Sequence, residues 1–189
     1  MSKSKIVVTS RPTPIVGAYI IERTCFTDDR GVFDRVFSKS DIKEAIGIDF
    51  PVMQTALVAN KLAGTLRGLH YQLAPHTEAK IVTCVGGIAQ DVIFDLRKDS
   101  PTYGEAYGIT LESGSGIGIY VPPGLAHGYV TVEPDTWMLY QTDREWNAEA
   151  SRSINWESAS KLKWGYILPQ CMSEKDTNAP MFDPANHFL

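Results

Sequence analysis

Cysteine is scarce in this chain and arranged against most of its special uses. The 189 residues contain three: Cys25, Cys84 and Cys171. They are widely spaced, with no Cys-x-x-Cys pair and no zinc pattern. None has a neighbouring base or cation in sequence that would activate a thiolate. They read as reduced thiols of a cytoplasmic protein. Histidine is nearly as rare, with four residues and no His-x-His. A metal-dependent oxygenase or isomerase needs about three or four His or carboxylate ligands, so the sequence predicts no metal and no cofactor. Dense Lys/Arg blocks are missing and the formal net charge is −4, which argues against nucleic acid or an anionic membrane as partner. No apolar run approaches the roughly 20 residues that span a bilayer. After Met1-Ser2-Lys3-Ser4-Lys5 only Ile6-Val7-Val8 is apolar, too short for a secretory signal. Internal repeats, low-complexity blocks and long linkers are also absent.

What remains is an ordinary globular balance, 43% hydrophobic and 21% charged, enough for one domain with a proper core. Short β-tolerant runs recur between turn residues, at 17–22, 52–60, 79–85, 88–96, 107–111, 117–121, 128–132 and 136–142. Spacings of this kind indicate an all-β sandwich or barrel. One early helix is predicted over 38–46, with Ser38 or Ser40 as N-cap and Gly47 as stop. From Trp156 the chain mixes Trp, Lys, Pro and polar residues. This reads as a single domain over 1–189, with a core at about 15–165 and an appendix over 166–189 that is either helical and packed or partly ordered.

The most informative run is Gly64-Thr65-Leu66-Arg67-Gly68-Leu69-His70-Tyr71-Gln72. It sets a fixed cation three residues from a titratable imidazole, with Lys80 ten residues further on. On a regular strand Arg67 and His70 face opposite ways. Gly68 permits a bulge that brings both to one cavity. An Arg that holds an anion beside a His that moves a proton points to chemistry on a phosphorylated small molecule.

Around this run stand Phe26-x-Asp28-x-Arg30-Gly31-x-Phe33, Asp91-x-x-x-Asp95-Leu96-Arg97, Ser100-Pro101-Thr102, Val121-Pro122-x-Gly124-x-Ala126-His127-Gly128 and Leu139-Tyr140. In this order and spacing they resemble the dTDP-4-dehydrorhamnose 3,5-epimerase family over nearly the whole chain. The resemblance implies a cupin-like double-sheet jelly roll with a few short peripheral helices, usually a homodimer with twofold symmetry. It implies an epimerase of deoxysugar biosynthesis that inverts C5 and/or C3 of a nucleotide-linked 4-keto-6-deoxy or 3,6-dideoxy hexose. Such a reaction needs a base for the α-proton, a group to hold the enolate oxygen, and an acid on the opposite face.

By resemblance His70 is the base, imidazole being the side chain suited to proton transfer near neutral pH, and Asp176 is its carboxylate partner. Lys80 lies near the enolate oxygen and Tyr140 is the acid. Arg30 and Arg67 match diphosphate ligands, while Phe33, Gln54 and Gln72 match pocket walls. His127 matches a second histidine near the sugar, or else it holds its turn through the backbone. Lys175 is matched only by its place beside Asp176. His76 and His187 match no role and read as surface residues.

Three positions depart from the family pattern. Ala56 stands where an Asn is common, Trp146 stands where a Tyr stacks on the base, and Arg35 stands where a Glu is common. The chemistry-bearing residues survive while sugar- and nucleotide-facing positions differ. The expectation is therefore retained epimerisation on a shifted substrate: dTDP, CDP or GDP as the nucleotide, and one or both centres inverted. The competing readings are a sugar-nucleotide 3,4-ketoisomerase and a non-catalytic sugar-nucleotide binder on the same scaffold.

Overall fold

The computed structural model describes residues 6–160, 162 and 168–185; His187 lies outside them. Among the described residues there are thirteen strands, and the expected cupin-like jelly roll is formed by two large sheets. The six-stranded sheet holds β1 (Val8–Pro12), β2 (Tyr19–Arg23), β10 (Ile117–Val121), β7 (Lys80–Gly86), β12 (Thr136–Thr142) and β5 (Gln54–Asn60), in that order. The five-stranded sheet holds β13 (Ser151–Ser153), β6 (Leu66–Gln72), β11 (Leu125–Thr131), β8 (Ile88–Asp95) and β9 (Ala106–Glu112). A separate hairpin pairs β3 (Phe26–Asp28) with β4 (Gly31–Phe33).

Period-two alternation places one set of side chains from each sheet between the layers. Ile20, Val82, Ile119 and Met138 from the larger sheet meet Ile93, Leu111 and Tyr129 from the smaller one. A second cluster, which includes Leu69, Phe94 and Val130, fills the outer face of the smaller sheet. The segment after β13 covers it, and Phe182 packs edge-on against Phe94 with ring centroids 4.9 Å apart.

The helix forms where the sequence places it. α1 (Lys39–Ile46) is preceded by Ser38 in extended conformation and stopped by Gly47, whose φ of 73° suits a residue without a Cβ. Its buried face, Ile42 and Ile46, packs on Phe50, Ile81 and Tyr120. The sheet begins earlier than the expected core boundary near residue 15, because β1 pairs along β2 from Val8↔Arg23 to Pro12↔Tyr19. β1 is polar and ends in Pro, which an edge strand tolerates, so it carries little of the alternation that marks the central strands.

The described part of the C-terminal appendix is docked. Gln170 N–H donates to the Gly64 carbonyl at 2.9 Å, and Leu66 N–H donates to the Cys171 carbonyl at 2.9 Å. α2 (Glu174–Thr177) follows, with the Ser173 hydroxyl accepting from the Asp176 N–H. These contacts fix the start of the appendix beside β6 and set Asp176 behind that strand.

Candidate active site

The site is organised by a bulge in β6. Across the β6–β11 ladder His127 pairs with His70 and Tyr129 pairs with Arg67. Gly68 and Leu69 therefore oppose Gly128 alone, and the extra residue turns Arg67 onto the same face as His70. Glycine is required on both sides. A Cβ on Gly68, where φ is 117°, would lie 2.7 Å from Gly128 Cα and from the His127 oxygen. A Cβ on Gly128 would lie 2.6 Å from the Arg67 oxygen. The bulge expected at Gly68 is thus a backbone-to-backbone contact between two strands.

Arg67 and His70 open onto a cavity of about 290 Å³ between the two sheets. β5 contributes Gln54, Ala56 and Val58, every second residue of the strand, as one wall. β12 contributes Tyr140 and Thr142, which pair with Ala56 and Gln54. Lys80 from β7 and Glu78 before it complete the larger sheet's side, and His127 joins His70 on the smaller sheet's side. Trp146 stands at the rim, 60% exposed, with its backbone N–H donated to Gln54 Oε1 at 2.9 Å.

His70 Nε2 lies 2.6 Å from Asp176 Oδ1. An ionised carboxylate accepts, so this nitrogen carries the proton and Nδ1 is the basic one. Burial pushes the Asp176 carboxyl up, but hydrogen bonds from His70, from the Ser173 hydroxyl and from the Gly68 N–H outweigh it and hold the pKa below the ordinary value. His127 repeats the arrangement, with Nε2 2.7 Å from Asp91 Oδ2. That contact is to a side chain, in place of the alternative in which His127 holds its turn through the backbone.

Lys80 is 12% exposed and pairs with Glu78 at 3.0 Å, so it is a cavity ammonium and not a surface lysine. Tyr140 packs edge-on to His127, with ring centroids 5.8 Å apart. Burial, followed by the neighbouring Tyr129 and Asp91, pushes its phenol well above the ordinary value. It therefore holds its proton throughout the neutral range. Both remaining thiols with a resolved shift move the wrong way for a nucleophile: burial raises Cys25 and Cys84.

The expected residues divide. Gln54, Arg67, His70, Lys80, His127, Tyr140 and Trp146 share the cavity, with Asp176 directly behind His70. Gln72 is not a wall. It is buried, donating to the His76 carbonyl and to Glu78 Oε2 (both 3.1 Å) and accepting from the Asn147 N–H at 2.7 Å. It braces the carboxylate that pairs with Lys80. Lys175 is exposed on α2 and donates to the Ser151 hydroxyl at 3.2 Å, outside the cavity lining. Arg30 and Phe33 stand on the β3–β4 hairpin, which lines a different hollow; Arg30 is paired with Asp28. Arg35, the reversed charge, is tied to Asp41 of α1. Glu78, Asp91 and Asn60 were not anticipated. Asn60 Oδ1 accepts from Arg67 Nε at 2.9 Å. A metal-dependent reading calls for converging ligands; among the described residues no group of three or more His, Cys, Asp and Glu is placed to hold an ion.

A cupin-like jelly roll with a His–carboxylate pair and a protonated phenol on facing sheets defines a carbohydrate isomerase of the epimerase type. Comparison with known proteins makes this specific. The chain belongs to the dTDP-4-dehydrorhamnose 3,5-epimerase family, whose model matches residues 12–184. It is 34% identical to the dTDP-4-dehydrorhamnose 3,5-epimerase of Shigella flexneri over 178 residues, 94% of this chain and 97% of that one. The crystal structure of the enzyme of that name from Elizabethkingia anophelis NUHP1 superposes with a TM-score of 0.86 at 34% identity, covering 96% of this chain and 99% of that one. The Bacillus anthracis enzyme, solved with TDP and pyrophosphate bound, gives 0.86 at 32% identity, covering 93% and 100%.

Proposed function

We propose that His70, Lys80 and Tyr140 invert a carbon next to the ketone of a nucleotide-linked 4-keto-6-deoxyhexose. One observation carries this reading: His70, backed by Asp176, lies on the smaller sheet while Tyr140 lies on the larger, and both line one cavity. A ring held between them meets a base on one face and an acid on the other.

His70 Nδ1 takes the α-proton, and Asp176 stabilises the imidazolium that forms. The electron pair of the broken C–H bond moves to the ketone oxygen as an enolate. Lys80 lies on the cavity wall where it stabilises that charge more than the ketone's. Tyr140 then gives its proton to the same carbon from the other side, and its oxygen keeps the electron pair. His127, whose Nε2 proton is committed to Asp91, presents Nδ1 as an acceptor for a sugar hydroxyl. Arg67 faces the diphosphate, and Trp146 at the rim offers a stacking surface. Ala56 and Val58 give the cavity an apolar wall that suits a deoxygenated methyl position.

The relative solved with TDP supports dTDP as the nucleotide. Calorimetric titration with dTDP, CDP, GDP and UDP tests this. Preference for dTDP is expected, and preference for CDP or GDP overturns it in favour of the shifted substrate suggested by Ala56. Incubation with the dTDP-linked 4-keto sugar in heavy water then tests the reaction. Deuterium at C3, C5 or both with inversion supports the reading; a moved carbonyl indicates a ketoisomerase, and no exchange indicates a binder.

A homodimer is part of the same proposal. Phe33 and Val32 are 58% and 51% exposed on the hairpin, an apolar tip that a second copy covers. Light scattering on the wild type and on Phe33→Asp tests it: a dimer for the first and a monomer for the second. A monomeric wild type refutes it.

A further inference from the structure

A carboxylate lines the cavity, and a glutamine outside the cavity holds it. The orientation of Gln72 is set from three sides. The Asn147 N–H only donates, so the 2.7 Å contact belongs to Gln72 Oε1. The amide nitrogen therefore turns to two acceptors, the His76 carbonyl and Glu78 Oε2, each at 3.1 Å. One oxygen of Glu78 is held in this way, and the other, Oε1, lies 3.0 Å from Lys80 Nζ. Glu78 and Lys80 are two residues apart, which sets them on one face of extended chain. The residue between them is tied to the segment after β12. Ala79 N–H donates to Asp143 Oδ1 at 2.7 Å, and the Ala79 carbonyl accepts from the Asp143 N–H at 3.2 Å. The Glu78 side chain is only 9% exposed. Among the described residues that line the cavity it is the one carboxylate, while Arg67 and Lys80 are cations and His70 becomes one when it takes a proton. A diphosphate and an enolate are both negative, so neither gains from an anion here. The place of Glu78 is explained by its partner.

We infer that Glu78 is a positioning residue for Lys80. The inference rests on the reading of Lys80 as the group that stabilises the enolate. A lysine ammonium is a point charge on a flexible four-carbon stem. It stabilises a developing charge best when it is already in place and nothing has to rearrange as the charge appears. The Gln72–Glu78 pair gives the ammonium a fixed anchor on the cavity wall before substrate arrives. A Gln at 78 keeps the size of the side chain and one carbonyl oxygen, and loses the charge that holds Lys80.

The test compares Glu78→Gln, Lys80→Met and the double variant on the dTDP-linked 4-keto sugar in heavy water. Deuterium uptake at the reacting carbon is followed by NMR over a range of substrate concentrations, and dTDP affinity is measured by calorimetry. For Glu78→Gln we expect kcat for exchange to fall about 10–100-fold, the cost of a reacting group displaced from its productive position, with KM and dTDP affinity unchanged. The double variant is expected to exchange no more slowly than Lys80→Met alone, because Glu78 acts through Lys80. A wild-type kcat in Glu78→Gln overturns the inference. So does a fall in kcat matched by an equal loss of dTDP affinity, or a further loss in the double variant, since either marks a merely structural role. Normal exchange by Lys80→Met overturns the assignment of Lys80 itself, and the inference with it.

Discussion

His70 and His127 stand directly opposite each other across the β6–β11 ladder, and each turns Nε2 to a carboxylate of its own. The two differ in access. The His70 side chain is 38% exposed and that of His127 only 4%, against an Asp91 with no exposure. A base that removes a proton from an incoming ring must be reachable. Exposure therefore separates two imidazoles that pairing alone leaves equivalent, and it favours His70.

Asp176→Asn should leave the cavity in place and remove the group that fixes the His70 tautomer. By analogy with other His–carboxylate pairs, exchange at the reacting carbon should fall about 10³–10⁴-fold. Deuterium wash-in rates measure this, and calorimetry with dTDP should show nucleotide binding retained.

Tyr140→Phe removes the proton donor and leaves the base. Exchange should continue, while inversion should fall at least about 100-fold, the usual contribution of a positioned general acid. NMR separates the two, because deuterium appears with the original configuration kept.

Asp95 shows that part of the recognisable sequence is architectural. It is fully buried and accepts from Arg97 Nε, the Ser100 hydroxyl and the Thr102 hydroxyl at 2.6–2.8 Å. Burial raises its pKa, but these bonds and the Arg97 N–H hold it below the ordinary carboxylate value. A carboxyl whose folded pKa lies below its unfolded one contributes stability above about pH 4, lost as pH falls through the folded pKa. Asp95→Asn should cost about 3–5 kcal/mol at neutral pH. Thermal melts should also show a shallower loss between neutral and acid pH than the wild type has.

Gly128→Ala sets a methyl against the Arg67 oxygen and the Leu69 side chain. Overpacking of this kind costs about 1–3 kcal/mol. Here it also pushes β11 from β6, so exchange should fall further than the loss of melting temperature explains. Parallel melts and wash-in rates on the same preparation check this.

The fold was legible where strands are buried on alternating faces. The predicted spans at 117–121 and 136–142 coincide with β10 and β12, and Ser38 and Gly47 bracket α1. β1, the β3–β4 hairpin and β13 escaped because they are short, polar or at an edge, where propensity carries little information. Arg67 and His70 were legible together because a Gly inside their run signals a bulge, while Gln54, Lys80, His127, Tyr140 and Trp146 were legible only through the family resemblance. Their partners were not. Asp91 and Asn60 meet His127 and Arg67 only once the chain is folded; Asp91 stands in a motif that carries the resemblance but had no role attached to it, and nothing marks Glu78, two residues before Lys80, as its partner. Gln72 and Lys175 lie one layer away from the cavity they were assigned to, since adjacency in sequence to a site residue does not fix which way a side chain points.

The most direct test is the fate of the hydrogens beside the ketone of a dTDP-linked 4-keto-6-deoxyhexose in heavy water, read by proton NMR with wild type and His70→Ala. The account predicts that the wild type replaces hydrogen with deuterium at C3, C5 or both, and that the variant leaves those signals intact. Exchange by His70→Ala at a rate near that of the wild type would contradict it.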